Sequence, residues 1–166
     1  GQEALSVRAA IADITLVILN LVINASDALP DGQGTIKVIL DKFTTANNQE
    51  PVVGKISSGR SYARIAVNDT GTGIAPDVLP RVFESFFTTK GSRGTGAGLA
   101  MVAAIVKRIG GAIFVESEVG VGTSMQVIFP TIEDATPETE GSETADLRGK
   151  TIMILDDQPE VGEVVA

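Results

Sequence analysis

The sequence predicts a mixed α/β unit over residues 1–130, with a linker and a short extra piece behind it. Three observations carry that reading. The segments 13–29 and 95–111 have the apolar density and spacing of core-facing helices. The runs 35–43, 62–69, 112–118 and 123–130 are rich in β-branched residues and bounded by turn chemistry, as strands are. After Pro130 the composition changes: "TIEDATPETEGSETADLRG" has six acids against one arginine and almost nothing to bury.

The elements follow in order. "ALSVRA" reads as a short strand. Asp13 is expected to cap a helix running to about Leu29, stopped by "PDGQG". "TIKVILDKF" and "YARIAVND" are strands, and the polar stretch 44–61 between them reads as a loop or irregular hairpin with no assignable role. "APDVLPRVFESFF" suggests short helical turns broken by Pro80. The helix from Thr95 should close at Gly110, with Lys107 and Arg108 suited to its C-terminal dipole. "AIFVESE" and "TSMQVIFP" are strands joined by "VGVG". Residues 131–149 are expected to be a flexible acidic linker, and 150–166 a strand with the start of a helix.

Bulk composition narrows the function. A chain of 166 residues holds one domain with a real core and a tail. Net charge −8 argues against a nucleic-acid binder held by phosphate contacts. There is no cysteine, hence no disulfide framework or thiolate zinc site, which fits a reducing compartment; the expected setting is cytoplasmic, with a parent protein that could be membrane-anchored. There is no histidine, so no imidazole triad, metal ligand or phosphohistidine. No signal peptide is visible, and the apolar run 14–29 reads as too short to span a membrane.

Four constellations remain. Asn20, Asn24 and Asp27 lie at i, i+4 and i+7, on one face of an otherwise apolar helix. That strip either faces a ligand, where an amide oxygen suits a hard cation such as Mg²⁺, or is a solvated edge. "VNDTGTGI" ends a strand in Asp69 and runs into Gly71 and Gly73; it is either a ligand contact for an exocyclic amine or a simple turn. "FESFFTTKGSRGTGAGLAM" puts Gly91, Gly94, Gly96 and Gly98 at a helix start beside Lys90 and Arg93. It fits neither G-x-x-x-x-G-K-[ST] nor G-x-G-x-x-G, yet a helix N-terminus attracts phosphate without either code. Glycine in a first helical turn costs about 1 kcal/mol against alanine, so two of them favour a functional reason. "SEVGVGTSM" reads as a hairpin turn.

In this order the pieces resemble the catalytic and ATP-binding domain of sensor histidine kinases. "NLVINASDALPDG" is similar to the N-box, "DTGTGI" to the G1 box, "VFESFFTTK" to the F-box and "GTGAGLAM" to the G2 box. The wording is closest to the nitrogen-regulator type, over roughly residues 10–130. The resemblance implies a Bergerat-type fold: an α/β (α+β) two-layer sandwich whose mixed, mostly antiparallel sheet is covered on one face by helices. It also implies ATP and Mg²⁺ as ligands. Asn24 would be the Mg²⁺ ligand. Asn20 stands where hydrolytic relatives carry a glutamate base, which favours phosphoryl transfer over ATP hydrolysis. Asp69 would bind the adenine amine with help from Thr123, in a pocket shaped by Gly71, Gly73 and Ile74. Phe86 and Phe87 would anchor the lid. Lys90 and Arg93 would reach the terminal phosphates, with Gly94, Thr95, Gly96, Gly98 and Leu99 forming the phosphate side.

"GKTIMILDDQPEVGEVVA" resembles the start of a receiver domain, with Asp156 and Asp157 as its acidic Mg²⁺ pair. The resemblance implies a hybrid kinase whose phosphorylated histidine sits on a separate dimerisation hairpin. The partners expected are that hairpin and a receiver domain or response regulator, with no nucleic acid and no membrane contact. This chain alone would be a monomer that binds ATP but cannot phosphorylate itself. An ATP-driven conformational ATPase, a serine kinase of the anti-sigma-factor type and a regulatory nucleotide-binding domain are the alternatives.

Overall fold

The computed structural model describes residues 5–44, 50–88 and 95–132. Lys90, Gly91, Arg93 and Gly94 lie outside the described residues, as do the receiver-like piece and all but the first two positions of the acidic linker.

Helix α1 runs Ile11–Ala28. It starts two residues before the expected cap, from an extended Ala10 with no side-chain cap. Asp13 sits inside the first turn instead, and its Oδ1 accepts a bond from Arg108 at 2.7 Å. A carboxylate there suits the helix dipole, and the guanidinium draws it away from the backbone N–H groups. The helix is also long and apolar enough to match a membrane span, contrary to the length argument above. One face of it packs on the sheet, where Val17, Leu21 and Ala25 are buried.

The strands are β1 (Ile36–Thr44), β2 (Val53–Gly54), β3 (Ser61–Asp69), β4 (Ala112–Glu118) and β5 (Gly122–Pro130). They form one sheet in the order β1-β3-β5-β4-β2. Every described pairing is antiparallel, so the parallel component allowed by a mixed sheet does not occur among the described residues. The expected N-terminal strand shrinks to a single bridge between Val7 and Thr131. Pro80 does not break its segment; it sits in the first positions of a 3-10 turn, Leu79–Arg81, where its missing N–H is no loss.

Helix α2 (Gly98–Ile109) packs beside α1 on one face of the sheet. Period-two alternation turns Ile65 and Val67 of β3, Ile113 of β4, and Met125, Val127 and Phe129 of β5 toward the helices. Val102, Ala103, Ile105 and Val106 of α2 close the core. Each fully buried aliphatic side chain here stabilises by roughly 1.5–3 kcal/mol over its exposed state. Gly110 ends α2 in a left-handed conformation (φ 77°), the expected C-terminal stop.

The other face carries a second cluster of Tyr62, Ala112, Phe114 and Ile128, with Phe43 and Ile56 against it. Of the stretch 50–60, without a role in the sequence reading, Val53–Gly54 extends the sheet and Ile56 packs on this cluster. Val52 N–H donates to Ile113 O at 2.8 Å, and Ser57 N–H donates to the Tyr62 hydroxyl at 2.9 Å. Beside it Arg64 donates to both oxygens of Asp41 and to Gln126 Oε1. The hydrogen bond to Asp41 holds the guanidinium above its usual range, so it stays charged at any working pH.

Candidate functional site

The end of β3 meets the middle of α1 at a cavity of about 530 Å³. The α1 strip opens into it: Asn20, Asn24 and Asp27 all line the wall, as one helical face predicts. Val67 and Met125 supply apolar floor, and Val78 and Val82 face them from the loop after β3.

One end is built by the sheet. Asp69 closes β3 and stands directly across from Thr123 of β5. Asp69 Oδ1 accepts from Gly71 N–H at 2.8 Å, which leaves Oδ2 without a hydrogen-bond partner among the described residues. Gly71 itself does not line the cavity. It packs behind, where a Cβ would come within 2.6 Å of Ala28 O and 2.7 Å of Asp69 Oδ1. Gly73 and Ile74 do line it. Gly73 has φ 70°, and a Cβ there would fall 2.1 Å from Glu118 O, so only glycine fits without backbone movement. The loop is stitched down on both sides: Thr72 N–H donates to Ala28 O and Gly120 N–H to Thr72 O, each at 2.9 Å.

Thr123 is 7% exposed and lines the cavity. Its hydroxyl lies 2.9 Å from Ser117 Oγ of β4. Ser117 also accepts from Ile74 N–H at 2.8 Å and reaches Gly122 O at 3.1 Å. The sequence reading did not single out Ser117. Its signal was the alternation Ile113, Val115, Ser117, which puts the serine on the helix-covered face, though the facing residue needs the hairpin register.

The other end is built by helix termini. Helix α2 begins at Gly98, not Thr95. Gly96 has φ 64°, which an α-helix does not tolerate, so only Gly98 occupies the first turn. A Cβ on Gly96 would lie 2.4 Å from Phe86 C, and Phe86 N–H donates to Gly96 O at 3.0 Å. Thr95, Gly96, Gly98 and Leu99 line the cavity, and α2 has no side-chain cap. Its first N–H groups are therefore left for a ligand or water. Asn20 turns Nδ2 back to Leu16 O at 2.8 Å, while its Oδ1 faces Gly98. Of the two phenylalanines, Phe87 lines the cavity with Arg81 stacked 4.3 Å from its ring centre. Phe86 points outward, 83% exposed at φ 66°.

A match over residues 9–133 to the family model for histidine kinase-, DNA gyrase B-, and HSP90-like ATPases accounts for this arrangement. The chain belongs to that ATPase family. Within the family it is homologous to sensor histidine kinases. It is 35% identical to the sensor kinase CckA of Brucella abortus, over 97% of this chain and 18% of that protein. With the sensory histidine kinase/phosphatase NtrB of Rhizobium leguminosarum it shares 35% identity, over 76% of this chain and 32% of the relative. The chain spans between 18% and 34% of the length of such curated relatives. Among solved structures, a mycobacterial sensor histidine kinase, MprB, superposes with a TM-score of 0.56 at 29% identity, covering 75% of this chain and 74% of that one. Full-length ShkA in complex with AMPPNP superposes at 0.54 with 30% identity, over 72% of this chain and 21% of that one. The two-layer sandwich expected from the resemblance is the fold of these catalytic domains.

An ion could be held in this ATPase domain without an all-protein cage. No group of three or more His, Cys, Asp or Glu able to hold a metal occurs among the described residues. The amide residues Asn20 and Asn24 on the cavity wall fit a hard cation that shares its ligands with phosphate and water.

Proposed function

We propose that this domain binds Mg²⁺-ATP and passes the γ-phosphoryl group to a histidine on a separate helical hairpin, in two-component signalling. The observation that carries this is the polarity of one cavity. Its sheet end presents Asp69 Oδ2, an acceptor suited to the adenine amine, with the Thr123 hydroxyl across from it. Its helix end presents the uncapped start of α2, suited to phosphate.

Asp69 Oδ2 accepts from the exocyclic amine, and Gly73 and Ile74 let backbone approach the flat ring. Val67 and Met125 exclude water beneath it. Asn24 is the ion ligand, and bound Mg²⁺ supplies charge neutralisation at the phosphate oxygens. The first N–H groups of α2, at Gly98 and Leu99, hold the phosphate chain; Thr95, Gly96 and Gly94 complete that side, and Lys90 and Arg93 reach the terminal phosphates. A histidine ring nitrogen then forms its bond to γ-phosphorus as the bridging P–O bond to ADP breaks. Positioning and charge carry such a transfer, with little need for a base. An amide at Asn20 suits it, and a water-activating ATPase would need a carboxylate there.

The wider setting is part of the proposal. Residues 131–149 serve as an acidic linker and 150–166 as the first part of a receiver domain, with Asp156 and Asp157 as its acidic pair. The alignment with CckA, which runs over 97% of the chain, supports counting this tail as kinase-like sequence. The partners are the hairpin of the parent kinase and a receiver, on the cytoplasmic side.

Calorimetric titration with a non-hydrolysable ATP analogue, with and without Mg²⁺, tests the reading. Saturable binding is expected. Asp69→Ala should weaken it by about 10- to 100-fold, the loss of a hydrogen bond to a charged group. Supplying the hairpin separately should then yield phosphohistidine from ATP. Binding without transfer would leave a regulatory nucleotide domain; binding indifferent to Asp69→Ala would remove the base assignment.

A further inference from the structure

Three residues form one row across the sheet at the base end of the cavity. Asp69 pairs with Thr123, and Thr123 pairs with Ser117. Opposed residues in antiparallel strands bring their side chains about 5 Å apart on one face. Asp69 and Thr123 line the cavity, whereas Ser117 stands behind Thr123. Thr123 is nearly buried, so the direction of its single proton matters.

That direction follows from counting protons and lone pairs. Ser117 Oγ has three neighbours: Ile74 N–H at 2.8 Å, Gly122 O at 3.1 Å and Thr123 Oγ1 at 2.9 Å. The amide can only donate and the carbonyl can only accept. A hydroxyl has one proton and two lone pairs. All three contacts become hydrogen bonds in one arrangement only: Ser117 donates to Gly122 O and accepts from both Ile74 N–H and the Thr123 hydroxyl. Reversing the Ser117 proton would leave Gly122 O without this donor and would free the Thr123 proton toward the cavity. Hydroxyl protons are assigned by such partner patterns.

We infer that Ser117 is a positioning residue that sets the specificity of the base pocket, by taking the Thr123 proton and leaving Thr123 an acceptor. Thr123 then offers the cavity a lone pair, at the strand position opposite Asp69. This end of the pocket accepts a 6-amino purine, directly or through water. A 6-oxo purine would turn its O6 acceptor to the place where the 6-amino group donates to Asp69, a mismatch at a buried polar group that discriminates strongly. Ser117 also ties Ile74 to the β4–β5 turn, so the rim and the polarity are set by one side chain. This rests on the nucleotide-binding proposal above.

The test uses the whole chain and two probes, a non-hydrolysable ATP analogue and its inosine counterpart, titrated calorimetrically with Mg²⁺. Wild type should prefer the adenine compound, and Asp69→Ala should weaken that binding and lose the preference. In Ser117→Ala the Thr123 proton is released. Adenine affinity should fall about tenfold while inosine affinity holds or rises, so the preference narrows by at least that factor. Equal losses for both probes would mean that Ser117 is only structural, and an unchanged preference would mean that it does not set the polarity; either overturns the inference and leaves the ATP reading standing. Wild type that binds neither probe removes both, and binding indifferent to Asp69→Ala removes the base assignment and this inference with it. If the melting curve shows Ser117→Ala unfolded, Ser117→Cys gives the same comparison, because its thiol is a weak acceptor for the Thr123 hydroxyl.

Discussion

The two ends of the cavity are made of different materials. At the sheet end the walls are backbone against backbone: a Cβ on Gly73 would meet Glu118 O at 2.1 Å, and one on Gly122 would meet Asp69 O at 2.0 Å. The helix end is mixed: a Cβ on Gly96 would meet backbone, Phe86 C at 2.4 Å, whereas one on Gly98 would meet a side chain, Asn20 Oδ1 at 2.6 Å. Backbone carbonyls held in a five-stranded sheet cannot yield, whereas an amide side chain can rotate. The sheet end is therefore fixed, whereas the helix end is fixed at Gly96 and adjustable at Gly98. A site that must grip one invariant base, yet close and reopen around a triphosphate, would be divided in this way.

The comparison can be broken most severely at Gly73. Gly73→Ala forces a left-handed residue into a carbonyl, so it should lower unfolding free energy by at least about 2 kcal/mol. Denaturant titration would read it. A fully stable variant would mean that the sheet end has slack. Asn24→Ala comes next. It should weaken Mg²⁺-dependent binding of the ATP analogue by about tenfold or more, with a smaller loss in chelator, and the two titrations differ only in metal. Equal losses would remove the ion-ligand assignment.

Gly98→Ala sharpens the contrast between the ends. Its φ is not in the left-handed region and its obstacle is a side chain, so the fold should persist, with a gain of up to about 1 kcal/mol in helix propensity. Affinity for the analogue should nonetheless fall several-fold, because Asn20 must swing. A large loss of stability would mean that both ends are equally rigid. The smallest effect is expected far from the cavity. Asp13→Ala removes the ion pair with Arg108 that links the start of α1 to the end of α2. With Arg108 exposed and Asp13 half-buried, the pair is worth about 1 kcal/mol, so a small drop in melting temperature and unchanged nucleotide affinity are expected.

Much of this was legible beforehand because local rules and global packing agree. The strip of Asn20, Asn24 and Asp27 follows from helical spacing alone. Strands β1, β3, β4 and β5 follow from β-branched content between turn residues. The errors fall where a distant partner overrides a local signal. Asp13 reads as a cap, but Arg108, 95 residues away in sequence, takes its carboxylate. Thr95 reads as a helix start, but the close contact of Gly96 with Phe86 holds the backbone out of the helix until Gly98. The stretch 50–60 has no local pattern because its contacts, Val53–Gly54 along β4 and Ile56 on the Tyr62 and Phe114 cluster, exist only once the sheet is assembled.

By itself the sequence determined the element types, the family and most of the cavity-lining residues, since periodicity and ordered glycine motifs are properties of neighbours along the chain. Only the tertiary structure decided that Asp69, Thr123 and Ser117 form one row, because register across three strands is a long-range property that no local spacing encodes. The polarity of the site depends on that row: a hydroxyl becomes donor or acceptor according to the partner that the sheet brings beside it.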